Sequence, residues 1–291
     1  MIEIRPARPE EIPRQKEIWK RAFGDEDAYI DYFYDHQDVS QVLLLLEDGV
    51  IWTMSACLPT TLTLPEGQSV PSAYLYALAT HPDARKRGYG RFMVRYVDFY
   101  LKERGMACVT TVPAEPSLHR YFASTGYTEC FALRKVELLS DMTGAPAPED
   151  ALAPAGPAEY DAIRERLLAG SLHISYGEGL IAYQQGISQM ARANLYRLTA
   201  GGETGVAAAE YLDDETVLVK ELVLPPKAMA GGAALLAAEL PGRRYHIRTP
   251  AHWEGLPGSY LQPYGMVKWY DPALEKEWLD QRRAYLGLGF D

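Results

Sequence analysis

The chemistry of this chain concentrates in Arg85-Lys86-Arg87-Gly88-Tyr89-Gly90, which packs three cations and two glycines into six residues. An apolar run, Tyr74 to Thr80, precedes it and Pro82 ends that run. A stretch with helical spacing follows it. The turn therefore reads as the start of a helix, where backbone N–H groups lack intrahelical partners and the macrodipole favours anions. Glycines at 88 and 90 remove the side chains that would hold a phosphate away from those N–H groups. The chemistry on offer is a pyrophosphate cradle. A P-loop is excluded, because no Gly-Lys-Ser/Thr ending places a hydroxyl on Mg²⁺. A dinucleotide fingerprint lacks its third glycine. A basic helix start with no ligand is the bland alternative.

The elements that would position this turn follow from periodicity. Tyr89, Phe92, Met93, Tyr96, Val97, Tyr100 and Leu101 form one stripe at helical spacing, and Gly105 ends it. Residues 2–5 read as a first strand, and residues 9–23 as an amphipathic helix stopped by Gly24. Residues 24–38 alternate carboxylates with aromatics and hold no Lys or Arg. They could attract an amine and hold it against aromatic faces, or they could be a solvated helix face over a tyrosine core. Residues 42–46 and 50–64 read as a hairpin turning at Glu47-Asp48-Gly49. After the helix, residues 106–112 read as a strand and residues 117–125 as a short helix.

That short helix ends Tyr121-Phe122-Ala123-Ser124-Thr125-Gly126-Tyr127. Together with the Arg85 to Gly90 turn, it resembles the GNAT N-acetyltransferase superfamily, whose signatures are Arg/Gln-x-x-Gly-x-Gly/Ala and aromatic-x-x-x-Gly-Phe/Tyr. The resemblance covers roughly residues 3–139 and implies acetyl-CoA as co-substrate. It assigns the pyrophosphate to Arg85, Lys86, Arg87, Gly88, Tyr89 and Gly90, and the pantetheine arm to the backbone of Leu78, Ala79 and Thr80. It also sets Ser117 near the cofactor. The implied fold has a V-shaped opening between the central strand and the next one. One departure stands out: the tyrosine that relatives use to protonate the departing thiolate is here Phe122. Tyr121 is one place off, about 100° around a helix, so it reads either as an acid or as a packed aromatic. Glu115, His119 and the C-terminal carboxylate of Asp291 are the candidate bases; the last is implied by tandem relatives that use their own C-terminus.

Residues 141–157, rich in Ala, Pro and Gly, read as a linker. Beyond it the order of elements repeats: helices, strands at 195–199, 206–212 and 216–224, a turn, a helix over 232–240 and a strand at 244–249. The turn, Lys227 to Gly232, keeps a leading cation and a last glycine but loses the rest. The expected fold is α/β with mixed sheets, in two tandem GNAT-like domains, 1–140 and 158–291, the second degenerate. An unrelated α/β domain is the alternative for the second half. The tandem layout resembles the enhanced-intracellular-survival type acetyltransferases without their C-terminal lipid-carrier-like domain.

Composition narrows the partners. The 291 residues are 47% hydrophobic, and the net charge of −10 argues against nonspecific nucleic-acid binding. No run of eighteen apolar residues predicts a membrane span, and no leader pattern opens the chain. Cys57, Cys108 and Cys130 show no metal spacing and read as buried thiols of a cytoplasmic protein. The expected activity is acetyl transfer from acetyl-CoA to a primary amine of a small molecule or peptide, without metal. Acyl-CoA binding without turnover, as a sensor or partner protein, is the alternative, and oligomeric state is left open.

Overall fold

The computed structural model describes residues 1–278 and 284–290. In chain order these form β1 (Ile2–Pro6), α1 (Ile12–Phe23), α2 (Asp27–His36), β2 (Val42–Glu47), β3 (Val50–Thr63), β4 (Ser69–Thr80), α3 (Tyr89–Lys102), β5 (Cys108–Thr111), α4 (Pro116–Ala123) and β6 (Thr128–Leu139). They continue with β7 (Ala151–Pro154), α5 (Pro157–Leu168), β8 (His173–Ser175), α6 (Gly177–Met190), β9 (Leu195–Ala200), β10 (Glu203–Tyr211), β11 (Thr216–Val223), α7 (Met229–Glu239), β12 (Arg244–Pro250), β13 (Tyr260–Trp269) and α8 (Pro272–Trp278). No described helix is long and apolar enough to cross a membrane. The fold is α/β with mixed sheets.

The chain forms two compact units that are not consecutive in sequence. One holds Met1–Thr60, Val70–Thr128 and the segment from Met266; the other holds Thr61–Ser69, Glu129–Gly265 and the last described residues. The sequential division expected at 141–157 differs from this for a physical reason. β6 pairs antiparallel with β12 (Leu139↔Arg244 to Leu133↔Pro250), while the second half of β13 pairs with β5 (Met266↔Thr111 to Trp269↔Cys108). Hydrogen-bond ladders, not sequence order, define the units.

In the first unit the strand order is β1-β2-β3-β4-β5-β13, antiparallel at β1–β2 and β2–β3 and parallel at β4–β5. Alternate residues of a strand face opposite sides of a sheet. Ala73 and Leu75 of β4 accordingly pack with Tyr89, Met93, Val94, Val97 and Leu101 of α3. Tyr76, on the opposite face, meets Trp19 of α1 edge-on and Phe33 of α2 at a tilt. The stripe expected on α3 is therefore narrower than its spacing suggested. Phe92 is 46% exposed, and Tyr96 and Tyr100 are half-buried.

In the second unit the order is β6-β12-β11-β10-β9-β7, with β11 and β12 parallel. α7 lies in a core cluster with residues of β9, β10, β11 and β12. A second buried group is polar. Arg164 of α5 and Glu221 of β11, neither exposed, form an ion pair at 3.0 Å. The Tyr160 hydroxyl donates to Glu221 at 2.7 Å, and Arg164 donates to the Ile174 carbonyl at 2.8 Å. The chain end packs over this pair. The Leu286 carbonyl accepts from Tyr176 Oη at 3.0 Å, and Gly287 sits directly against the Glu221 carboxylate.

Candidate active site

β4 and β5 run in register only from Ser72↔Cys108 to Tyr74↔Thr110. β4 then continues to Thr80 beyond its pairing with β5, and the Thr111 hydroxyl donates to the Leu75 carbonyl at 3.0 Å. Just past this point Ala77 adopts φ 50, a left-handed conformation rare for a residue with a Cβ. Strain of this kind persists where the surroundings impose it, commonly at functional sites. β4 thus outruns β5 on the side where the opening is expected.

The turn that follows β4 is built as an anion cradle. A single 3₁₀ turn, Pro82–Ala84, leads to Arg85 in extended conformation, Lys86 at φ 67, and Gly88 at φ 84 as the N-cap of α3. No side chain caps this helix, so its first N–H groups point outward unclaimed by a capping residue. Arg85, Lys86 and Arg87 are exposed around it. Arg87 is engaged locally, 3.6 Å from Glu47 and over the Trp52 ring. Tyr89 is buried and donates to Glu47 at 2.5 Å. The Tyr89 bond ties the turn to the end of β2.

A cavity of about 540 Å³ joins cradle and strand, lined by Leu78, Thr80, Arg85, Lys86, Gly88, Tyr89, Gly90 and Tyr121 among others. These eight are residues that the sequence singled out. Arg91, Leu118 and Phe122 also line it and were not anticipated there. Phe122 packs edge-on against Tyr127 at 5.2 Å between ring centres, so the expected acid position holds an inert phenyl group. Tyr121 reaches into the cavity from the neighbouring helix position. Ala79 is buried in β4. Glu115 and Ser117 are exposed at the start of α4, where the Ser117 hydroxyl donates to Glu115 at 3.3 Å, and His119 is half-buried; none of the three lines the cavity. Asp291 lies outside the described residues.

The fit to a pyrophosphate ligand can be tested on the glycines. An added Cβ at Gly90 would lie 3.0 Å from Tyr121 Oη, so a side chain there would push the tyrosine aside by a few tenths of an ångström. Gly88 is left-handed, where L-residues are strained. Both observations keep the helix start bare, as close approach of a phosphate requires. The residues present fit the group.

Lys268 of β13 was invisible in the sequence, yet it holds both helices that build the cavity. Its ammonium lies 2.5 Å from Asp98 of α3 and 2.5 Å from the Thr125 carbonyl at the end of α4. Tyr270 Oη donates to the same Asp98 at 3.0 Å. Gly126, at φ 95, lies against the lysine stem, which explains the glycine in the aromatic-x-x-x-Gly-Tyr stretch. No local pattern could have revealed a partner so distant in sequence. Lys268→Met should keep the stem and lose the charge. We expect at least about a tenfold rise in the acetyl-CoA Kd, since removing one member of a partly buried pair costs roughly 1–3 kcal/mol. Calorimetric titration checks this, and an unchanged Kd would show that the helices hold their places without it.

In the acidic, aromatic stretch at 24–38, several carboxylates have partners on α1. Asp25 accepts from Trp19 Nε1 at 2.7 Å, Asp27 pairs with Lys20 at 2.6 Å, and Asp31 pairs with Lys16 at 2.7 Å. Ile30 and Phe33 are core. α1 supplies the cations that the stretch itself lacks.

In the second unit the corresponding turn is closed. Pro226–Ala228 form a 3₁₀ turn and α7 begins at Met229, so Ala230, Gly231 and Gly232 are already helical. A Cβ at Gly232 would lie 2.7 Å from a Leu224 methyl, and one at Gly231 would lie 3.0 Å from the Ala200 methyl. These glycines serve close helix-on-sheet packing, and Lys227 pairs with Glu203 at 2.7 Å. The three cysteines are buried free thiols, and burial pushes Cys57 and Cys130 up to about 12.

Comparison with known proteins agrees with this geometry. The family model for the acetyltransferase (GNAT) domain matches residues 3–129. No curated protein sequence matches the chain. Among solved structures, a probable N-acyltransferase from Enterococcus faecalis V583 superposes with TM-score 0.71 at 14% identity, covering 96% of this chain and 75% of that one. A GCN5-related N-acetyltransferase from Kribbella flavida gives 0.68 at 16% identity, with 93% and 71% covered. Eis1 from Mycobacterium abscessus gives 0.65 at 16% identity, with 92% and 74% covered. At such identities the likeness is one of fold, and it runs through both halves of the chain. Residues 3–129 thus match an acetyltransferase (GNAT) domain, and the fold of the chain as a whole is like that of Eis1 and the other structures above.

Proposed function

We propose that the protein transfers an acetyl group from acetyl-CoA to a primary amine of a small molecule or peptide. The observation that carries this reading is the cavity joining the bare start of α3 to the length of β4 that runs beyond its pairing with β5. In this reading the N–H groups at Gly88, Tyr89 and Gly90, with Arg85, Lys86 and Arg87, hold the pyrophosphate. The backbone of Leu78, Ala79 and Thr80 receives the pantetheine arm, while Ser117, which the resemblance sets near the cofactor, does not line this cavity. Acetyl-CoA supplies an activated thioester: the amine nitrogen bonds to the carbonyl carbon, the C–S bond breaks, and CoA leaves. An alkyl ammonium has a pKa of about 10.4, so it must first lose a proton. Glu115, His119 and the Asp291 carboxylate are the groups we propose for that proton, with water as carrier.

Residues 1–140 and 158–291 are read as duplicated halves joined by 141–157, the second having lost its cofactor turn. Three free thiols fit a reducing compartment, and we place the protein in the cytoplasm. A panel of polyamines, aminoglycosides, amino acids and peptides, assayed for CoA release, tests the activity. At least one amine should give steady release well above buffer hydrolysis. Phe122, an inert side chain at the expected acid position, favours a second reading: acyl-CoA binding without turnover. Calorimetric binding of acetyl-CoA with no release on any amine would establish that reading and remove the first.

A further inference from the structure

The Tyr121 hydroxyl is buried, has no hydrogen-bond partner among the described residues, and is placed at one particular end of the cavity. It sits over the first turn of α3, 3.0 Å from where a Gly90 Cβ would be, and the Thr80 hydroxyl lies 3.8 Å from the same point. Thr80 is the last residue of β4, whereas β5 leaves β4 after Tyr74. At about 3.3 Å per residue, those positions are roughly 20 Å apart along the strand. The hydroxyl therefore belongs to the cradle end of the cavity, far from the opening where an acyl group and an amine would meet.

We propose that Tyr121 is a phosphate-binding residue, its hydroxyl donating to a pyrophosphate oxygen held on the first turn of α3. This inference rests on the acetyl-CoA reading above and adds a role that the helix-start pattern does not contain. A buried hydroxyl without a partner is costly, and an anionic oxygen is the acceptor that this location attracts. Burial raises the phenol above its ordinary pKa and Arg91 draws it down; the net shift is upward, so the group stays a protonated donor at neutral pH. The thiolate at the far end of the arm would lie beyond its reach.

Tyr121→Phe removes the hydroxyl and keeps the ring. Its melting temperature should match that of the unsubstituted protein, because no internal hydrogen bond is lost. Calorimetric titration should show about a tenfold weaker Kd for CoA, the usual worth of a hydrogen bond to a charged group. The same factor should appear for adenosine 3′-phosphate 5′-diphosphate, which carries the phosphates without the arm. With an amine substrate, KM for acetyl-CoA should rise and kcat should hold. A loss confined to kcat would make Tyr121 a proton donor and overturn the proposal. A loss seen with CoA but not with the nucleotide would assign the contact to the arm, and an unchanged Kd for both would leave no contact at all; either result overturns it. If the unsubstituted protein bound no CoA, the proposed function itself would fall.

Discussion

Gly88→Glu is expected to abolish acetyl-CoA binding, raising the Kd at least about a hundredfold. Three effects act together at this position. The backbone is left-handed there, at φ 84, which costs an L-residue about 1–2 kcal/mol. A carboxylate reverses the attraction of the helix end for anions, worth up to about 2 kcal/mol. Its bulk also occupies the place where a phosphate would meet bare backbone. The turn is exposed, so the fold should survive, and a melting curve close to that of the unsubstituted protein would establish this. Ala230→Glu is the matched control, an exposed position in α7 beside the closed turn. It should leave the Kd unchanged. Calorimetry on both variants decides the matter: two sites in the unsubstituted protein, or loss through Ala230→Glu, would mean that the second half also binds.

The largest effect on stability should come from the second unit. Glu221→Gln leaves the Arg164 guanidinium fully buried opposite a neutral amide, with Glu165 as its remaining carboxylate at 3.0 Å. Removing one partner of a buried pair typically costs about 3–5 kcal/mol, whereas replacing both by apolar residues is often neutral. Urea unfolding should therefore show a loss of about that size for Glu221→Gln and a smaller one for Arg164→Met combined with Glu221→Leu. A loss under about 1 kcal/mol for the single change would show that the pair is solvated in a way its burial does not suggest.

Much of the cofactor site was legible because it is local. Helix spacing, a proline stop and two glycines lie within about twenty residues, and together they specify the backbone of the proposed cradle. Both α3 and the two turns were read from such patterns. Tyr121 was harder: helix phase suggested that it could not take over from position 122, yet both side chains line the cavity. A side chain as long as tyrosine can reach across part of that rotation. Phe92 failed in the opposite direction, since a spacing that fits a stripe does not say how wide the covering surface is. α6 escaped notice because its glycines and glutamines blur the period, although Leu180, Ile181, Tyr183, Gln184 and Ile187 are all buried. β13 and Lys268 were illegible for another reason. Their partners are set by strand pairing across the whole chain, and a single sequence carries no mark of register between distant strands.

The pairing of β5 with Met266 to Trp269 bears on how the protein comes to exist at all. β5 must wait for a neighbour about 160 residues downstream, a separation that slows folding through loop-closure entropy. During synthesis the cradle and its helix can be complete while the strand beside them still presents a bare edge. Such edges invite pairing with other nascent chains. A ribosome stalled past the glycine turn would thus hold a sticky half-sheet rather than a complete first unit. Cutting the gene after residue 140, at the point where the sequence invites a cut, would make that transient state permanent.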